Sequence, residues 1–124
     1  MLDGRSLKNL MGVKPELVSV VRRADELLPG GFIITEGVRT IERQRELFAK
    51  GLSKTMNSRH LTGHAVDFAP LVGGEVTWKW PAFQPVANAF KQAAKELNVA
   101  IEWGGDWKKF KDGPHIELNR RVYQ

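Results

Sequence analysis

The stretch Ser58-Arg59-His60-Leu61-Thr62-Gly63-His64-Ala65-Val66-Asp67 carries two histidines, a glycine and a carboxylate in close succession. His60 and Asp67 are an odd number of positions apart, so one continuous strand would place them on opposite faces. They meet only if the chain turns between them, and Gly63 can supply that turn. Ala65 to Ala69 alternates like a half-buried strand, which would hold Asp67 on one face and Val66 and Phe68 on the other. An imidazole nitrogen and a carboxylate oxygen brought together in this way suit a zinc ligand pair.

A second stretch, Asp112-Gly113-Pro114-His115-Ile116-Glu117-Leu118, has the same character. In a strand starting near His115, residues 115 and 117 share one face while Ile116 and Leu118 turn to a core. His115 is then placed as a third ligand, and Asp112, three residues back, can lie beside the metal without binding it. Two histidines and one carboxylate with an open fourth position are the ligand count of a catalytic zinc. Asp112 is the candidate base for a metal-acidified water, and Arg39 could stabilise the oxyanion formed when that water attacks a carbonyl.

Spacing alone leaves a second possibility open for His60, Asp67 and His115, namely surface or capping roles. His64, four residues after His60, reads as a solvent-facing or substrate-facing neighbour. Glu117 reads as a partner of a ligand or as an exposed strand residue, and Arg39, Arg43 and Arg45 as solvated charges. Trp78, Trp80, Trp103 and Trp107 read mainly as core or rim packing, with groove lining as the alternative.

Working outward, Lys14 to Leu28 shows apolar residues at helical spacing, starts at Pro15 and stops at Pro29-Gly30-Gly31. Phe32-Ile33-Ile34-Thr35 reads as a strand that delivers Glu36 to Arg39 to its end. Thr40 is a cap for a helix from Ile41 to about Lys50, and Ser53 to Gly63 is polar and irregular. Gly73-Gly74 marks a hairpin or loop tip, and a second long helix is expected from about Ala82 to Leu97. Val99 to Trp103 and His115 to Leu118 read as strands separated by the loop Gly104 to Pro114. Short strands mixed with two main helices predict an α+β fold, a small antiparallel sheet with flanking helices.

Composition supports one domain over 1–124. The chain has 124 residues, 42% hydrophobic and 27% charged, without repeat or low-complexity tract. Nineteen Lys and Arg against fourteen Asp and Glu leave a net charge of +5, which favours anionic partners without choosing among nucleic acid, membrane surface and wall polymer. Zero cysteines exclude disulfides and thiolate zinc sites. No apolar run reaches the length of a signal peptide or a membrane span, so the expectation is a soluble cytoplasmic product without stable membrane anchoring.

These segments together resemble a family: the zinc D-alanyl-D-alanine carboxypeptidases, vancomycin-resistance dipeptidases and phage L-alanyl-D-glutamate endopeptidases, which share the LAS or Hedgehog-like metallopeptidase fold. The pattern S-x-H-x-x-G-x-A-x-D is met by Ser58, His60, Gly63, Ala65 and Asp67, and the acidic-x-x-His pattern by Asp112 and His115. Trp103-Gly104-Gly105-Asp106-Trp107 looks like the phage endopeptidase branch, and the resemblance runs from about Gly30 to Leu118. It implies zinc ligands His60, Asp67 and His115, Asp112 as general base, Arg39 as the oxyanion-stabilising arginine and Ser58 near substrate. The base is Asp where many relatives have Glu, a shorter reach that the phage branch shares.

The resemblance further implies a monomeric endolysin that cleaves the L-alanyl-D-glutamate bond of peptidoglycan stem peptides and does not act on nucleic acid. It would accumulate in the host cytoplasm and reach the periplasmic wall when a separate holin opens the inner membrane. Two alternatives are a D-alanyl-D-alanine carboxypeptidase or dipeptidase, for which no residue here identifies a pocket for the terminal carboxylate, and a non-catalytic zinc-containing binding module. Asp112 and Arg39 beside all three ligands argue against the second.

Overall fold

The computed structural model describes residues 2–53, 55–56, 58–109 and 111–124. Positions 54 and 57 of the expected irregular stretch, and position 110 of the loop before His115, lie outside the described residues. Four helices, α1 (Gly4–Asn9), α2 (Pro15–Leu27), α3 (Ile41–Ala49) and α4 (Trp80–Leu97), flank five strands: β1 (Phe32–Glu36), β2 (Ala65–Val72), β3 (Glu75–Val76), β4 (Ile101–Trp103) and β5 (His115–Leu118). The main sheet runs β1-β2-β5-β4, with every pair antiparallel, and β3 folds back on β2 through the expected Gly73-Gly74 tip. The α+β expectation holds. Among the described residues, no helix is long and apolar enough to cross a membrane.

The alternation of β2 and β5 divides the molecule into two sides. Val66, Phe68, Ile116 and Leu118 are wholly buried on one of them. There Phe68 meets Phe90 and Phe83 of α4, with ring centroids 5.3 and 5.8 Å apart, in one cluster with Leu17, Val20 and Val21 of α2. Asp67, His115 and Glu117 project to the other side, so the core positions the site from behind.

The structure adds one helix to the sequence expectation and moves several boundaries, among them the end of β2, which runs on to Val72. Helix α1 was not anticipated: it is short, begins with glycine and has no apolar period. It is held by a cap in which Asp3 accepts from the Ser6 amide at 2.8 Å, and by tertiary bonds to β1. Ser6 Oγ accepts from the Ile34 amide at 2.9 Å, and Asn9 donates to the Ile34 carbonyl at 2.8 Å. Helix α4 starts at Trp80, two residues early, because Pro81 suits a first turn. Strand β4 starts at Ile101 because the Val99 amide closes the C-terminus of α4 by donating to Ala94 O at 2.9 Å.

Candidate metal centre

Residues Arg59 to Thr62 form a single 3₁₀ turn, capped where Ser58 Oγ accepts from the His60 amide at 3.2 Å. The turn ends at Gly63, whose φ of +77° is left-handed; a Cβ there would also lie 2.6 Å from the Gly12 carbonyl oxygen. This reversal brings His60 back over Asp67, as the odd spacing required. The antiparallel register of β2 and β5 sets Asp67 directly opposite His115.

The result is a convergence on one atom. His60 Nε2 lies 3.1 Å and His115 Nδ1 3.3 Å from Asp67 Oδ1, and the ligand atoms of the three residues lie within 4.8 Å of one another. Each ring is oriented by its other nitrogen. His60 Nδ1 donates to the Gly37 carbonyl at 2.8 Å, and His115 Nε2 donates to Glu117 Oε1 at 2.9 Å. A carbonyl and a carboxylate only accept, so both outward nitrogens carry the hydrogen and both inward nitrogens are left with lone pairs. Two imidazole lone pairs and a carboxylate oxygen aimed at one place repel unless a cation sits among them. The donor set therefore fits a divalent metal, and the outer partners fit the usual second bond of a metal-bound histidine.

Protonated, His115 forms an ion pair with Asp67 at 3.3 Å. Burial opposes charge on both Asp67 and His115, but their mutual hydrogen bonds outweigh it. Bonds from His115 and His60 hold Asp67 well below the usual carboxylate range, and Asp67 and Glu117 push His115 up to about 9. Glu117 is lowered in turn, its burial offset by His115 and Arg120.

Asp112 stands on the loop beside this cluster and lines the same cavity of about 650 Å³. Its amide donates to Gly104 O at 3.0 Å and its carbonyl accepts from the His115 amide at 3.2 Å. Gly104 is required there, because a Cβ would fall 2.3 Å from the Asp112 carbonyl oxygen. Burial raises the Asp112 carboxyl above its ordinary value, and the charge on Asp67 raises it further. Arg39 enters from the end of β1. Its Nε and Nη2 donate to the Glu36 carboxylate at 2.8 and 3.0 Å, and Nη1 donates to Gln44 Oε1 at 2.7 Å and more distantly to Ser58 Oγ at 3.4 Å. Nη2 also lies 3.7 Å from Asp67 Oδ2.

All six residues singled out by the sequence, Arg39, Ser58, His60, Asp67, Asp112 and His115, thus line one cavity. Two neighbours need correction or refinement. His64 faces neither solvent nor the cavity: it is buried, its Nδ1 meets Thr62 Oγ1 at 2.6 Å, and burial lowers its proton affinity. Glu117 is buried as the partner of His115, which removes the exposed alternative. Of the tryptophans, Trp103 is buried, Trp78 and Trp80 are exposed, and Trp107 lines the cavity with its ring centroid 5.2 Å from that of His115. Sequence reasoning missed Glu36, Gly37 and Gln44. Only Gln44 left a signal, as a polar residue where the spacing of Ile41, Leu47 and Phe48 calls for an inward apolar one.

The chain is similar to known proteins over most of its length. A family model described as phage L-alanyl-D-glutamate peptidase matches residues 1–122. The L-alanyl-D-glutamate peptidase of Escherichia phage T5 is 43% identical over 122 residues, 95% of this chain and 88% of that protein. The peptidoglycan L-alanyl-D-glutamate endopeptidase CwlK of Bacillus subtilis is 35% identical over 100 residues, 69% of this chain and 59% of that protein. The crystal structure of the Serratia marcescens L-Ala D-Glu endopeptidase ChiX superposes with a TM-score of 0.91 at 44% identity, covering 99% of this chain and 93% of that one. The vancomycin-resistance D,D-dipeptidase VanXYg shares the fold, with a TM-score of 0.57 at 15% identity over 86% of this chain and 50% of that one.

Proposed function

The chain belongs to the phage L-alanyl-D-glutamate peptidase family, and from that premise we propose that it hydrolyses the L-alanyl-D-glutamate bond of the stem peptide with zinc held by His60, Asp67 and His115. The broader activity, that of a peptidoglycan-cleaving endopeptidase, follows from the family itself. The observation that carries the zinc site is the convergence of two oriented imidazole nitrogens on a single Asp67 oxygen, beside a raised Asp112 carboxyl in one cavity; the choice of bond rests on the family and its named relatives.

When bound there, zinc would acidify a water and polarise the scissile carbonyl. Asp112 takes the proton of the attacking water and passes it to the departing amide nitrogen; its raised proton affinity suits it to both steps. Arg39, half-buried and held in plane by Glu36 and Gln44, presents positive charge where the carbonyl oxygen becomes negative. Ser58 contributes a hydroxyl to the cavity wall, close to Arg39, where a substrate amide can reach it. Glu117 and the Gly37 carbonyl act through the ligands they orient.

We also infer one functional unit over 1–124, acting as a monomer on stem peptides after a separate pore-forming protein gives access to the wall. Its net charge of +5 draws it to an anionic sacculus. The test is a digest of purified sacculi analysed by mass spectrometry. New N-terminal D-glutamate is the expected product, whereas released D-alanine would indicate a carboxypeptidase and an unchanged sacculus a binding module.

A further inference from the structure

An amphipathic helix ordinarily docks through an apolar stripe. Helix α3 does not: the residue it buries is Gln44, with no exposed surface, while Ile41 and Phe48 remain 49% and 47% exposed. Both ends of the Gln44 amide are engaged. Oε1 accepts from Arg39 Nη1 at 2.7 Å, and Nε2 donates to Ser53 Oγ at 2.8 Å and to the Thr55 carbonyl. The amide cannot be reversed, because the guanidinium offers only donors and the Thr55 carbonyl only accepts.

Arg39 has five N–H donors. Glu36 takes two of them and the Nη1 pair faces Gln44 and Ser58, which leaves one on Nη2, the nitrogen lying 3.7 Å from Asp67 Oδ2. We propose that Gln44 is a positioning residue for the reaction: its Oε1 fixes the rotation of the Arg39 guanidinium so that this remaining N–H serves the cavity, and its Nε2 ties the same guanidinium to the Ser53–Thr55 wall. The proposal rests on the oxyanion role given to Arg39 above. Glu36 alone grips one edge of the guanidinium; the Gln44 bond on the far edge stops it from swinging about that grip.

Gln44→Met keeps the length of the side chain and removes both polar ends. The test is a double-mutant cycle with Arg39→Met, in which kcat, KM and bound zinc are measured on purified muropeptides. Gln44→Met should lower kcat about tenfold, with KM changed less than threefold and zinc retained, the pattern of an interaction made in the transition state. In the Arg39→Met background the same change should lower kcat less than twofold, because its effect passes through the guanidinium. An equal loss in both backgrounds, or an unchanged kcat in the parent, would overturn the proposal. If Gln44→Met does not fold, Gln44→Asn withdraws the amide by one methylene while keeping it polar, and carries the same expectations. Product analysis of the parent reports separately on the bond cleaved: cleavage elsewhere would remove the L-alanyl-D-glutamate assignment while the Gln44–Arg39 coupling stayed measurable.

Discussion

The two sides of the cavity are built on different physics. Asp67 and His115 stand on β2 and β5, with wholly buried Val66, Phe68, Ile116 and Leu118 behind them, and His60 stands on the 3₁₀ turn that leads into β2. The Arg39 side leans on α3, which buries one glutamine and leaves Ile41 and Phe48 about half exposed. Packing density holds the first in place, and a few directional hydrogen bonds hold the second. Atoms that share a metal tolerate little displacement, so they sit on the rigid element; a wall that meets a varied polymer can hang from polar bonds.

The largest effects should come from the packed side. His60→Ala and His115→Ala should each lose zinc measured by metal analysis and fall below detectable activity, and full zinc retention in both would remove the ligand assignment. Asp112→Asn keeps the shape but cannot accept the water's proton, so activity should drop by about 10² to 10⁴ with zinc still bound. Release of the metal by that substitution would instead make Asp112 a ligand.

On the hydrogen-bonded side, Arg39→Ala should lower kcat by roughly 10² to 10³ with zinc content and fold intact, by analogy with loss of one oxyanion donor. Arg43, exposed on α3 and paired with Glu46 at 3.3 Å, is the control. Equal damage from Arg43→Ala would point to general positive charge and erase the distinction between the two arginines.

A smaller effect is expected from the outer partner of His115. Glu117→Gln should weaken zinc binding by about 10- to 100-fold in a chelator competition. In the parent the same competition should depend on pH. Metal-free His115 holds its proton up to about 9, so metal uptake must displace it, and affinity should rise about tenfold per pH unit from neutrality toward 9. The metal-free protein should show the opposite trend in stability. A raised imidazole stabilises the fold fully below its unfolded value near 6.5 and loses that contribution as pH climbs through about 9. Flat profiles in both experiments would show that His115 is not coupled to Asp67. The smallest change is expected at Phe48→Ala, within about 0.5 kcal/mol in urea unfolding, because an exposed side chain has little burial to lose. A loss of several kcal/mol there would mean that α3 docks through apolar contact after all.

The sequence by itself determined the parts whose causes are local. Helix α2 followed from its 3.6-residue period, the faces of β2 and β5 from simple alternation, and the turn at Gly63 from an odd spacing that had to be reversed. These made Arg39, His60, Asp67, Asp112 and His115 candidates while leaving surface or capping roles open for the three ligands; the family resemblance added Ser58 and the assignment of roles. Only the tertiary structure decided which atoms orient them. The register that sets Asp67 opposite His115 spans 48 positions, and the bond from His60 to Gly37 spans 23. Helix α1 exists through its bonds to β1, and His64 is buried against Thr62 although His60, four residues before it, lines the cavity. Gln44 stood out in the sequence only as a polar residue at an inward spacing, and packing made it the buried link between Arg39 and the cavity wall. Periodicity and turn chemistry act within a few residues and leave a mark in the local sequence. A hydrogen-bond partner brought in by chain reversal leaves none, because its identity depends on which distant carbonyl or carboxylate the packed core places beside it.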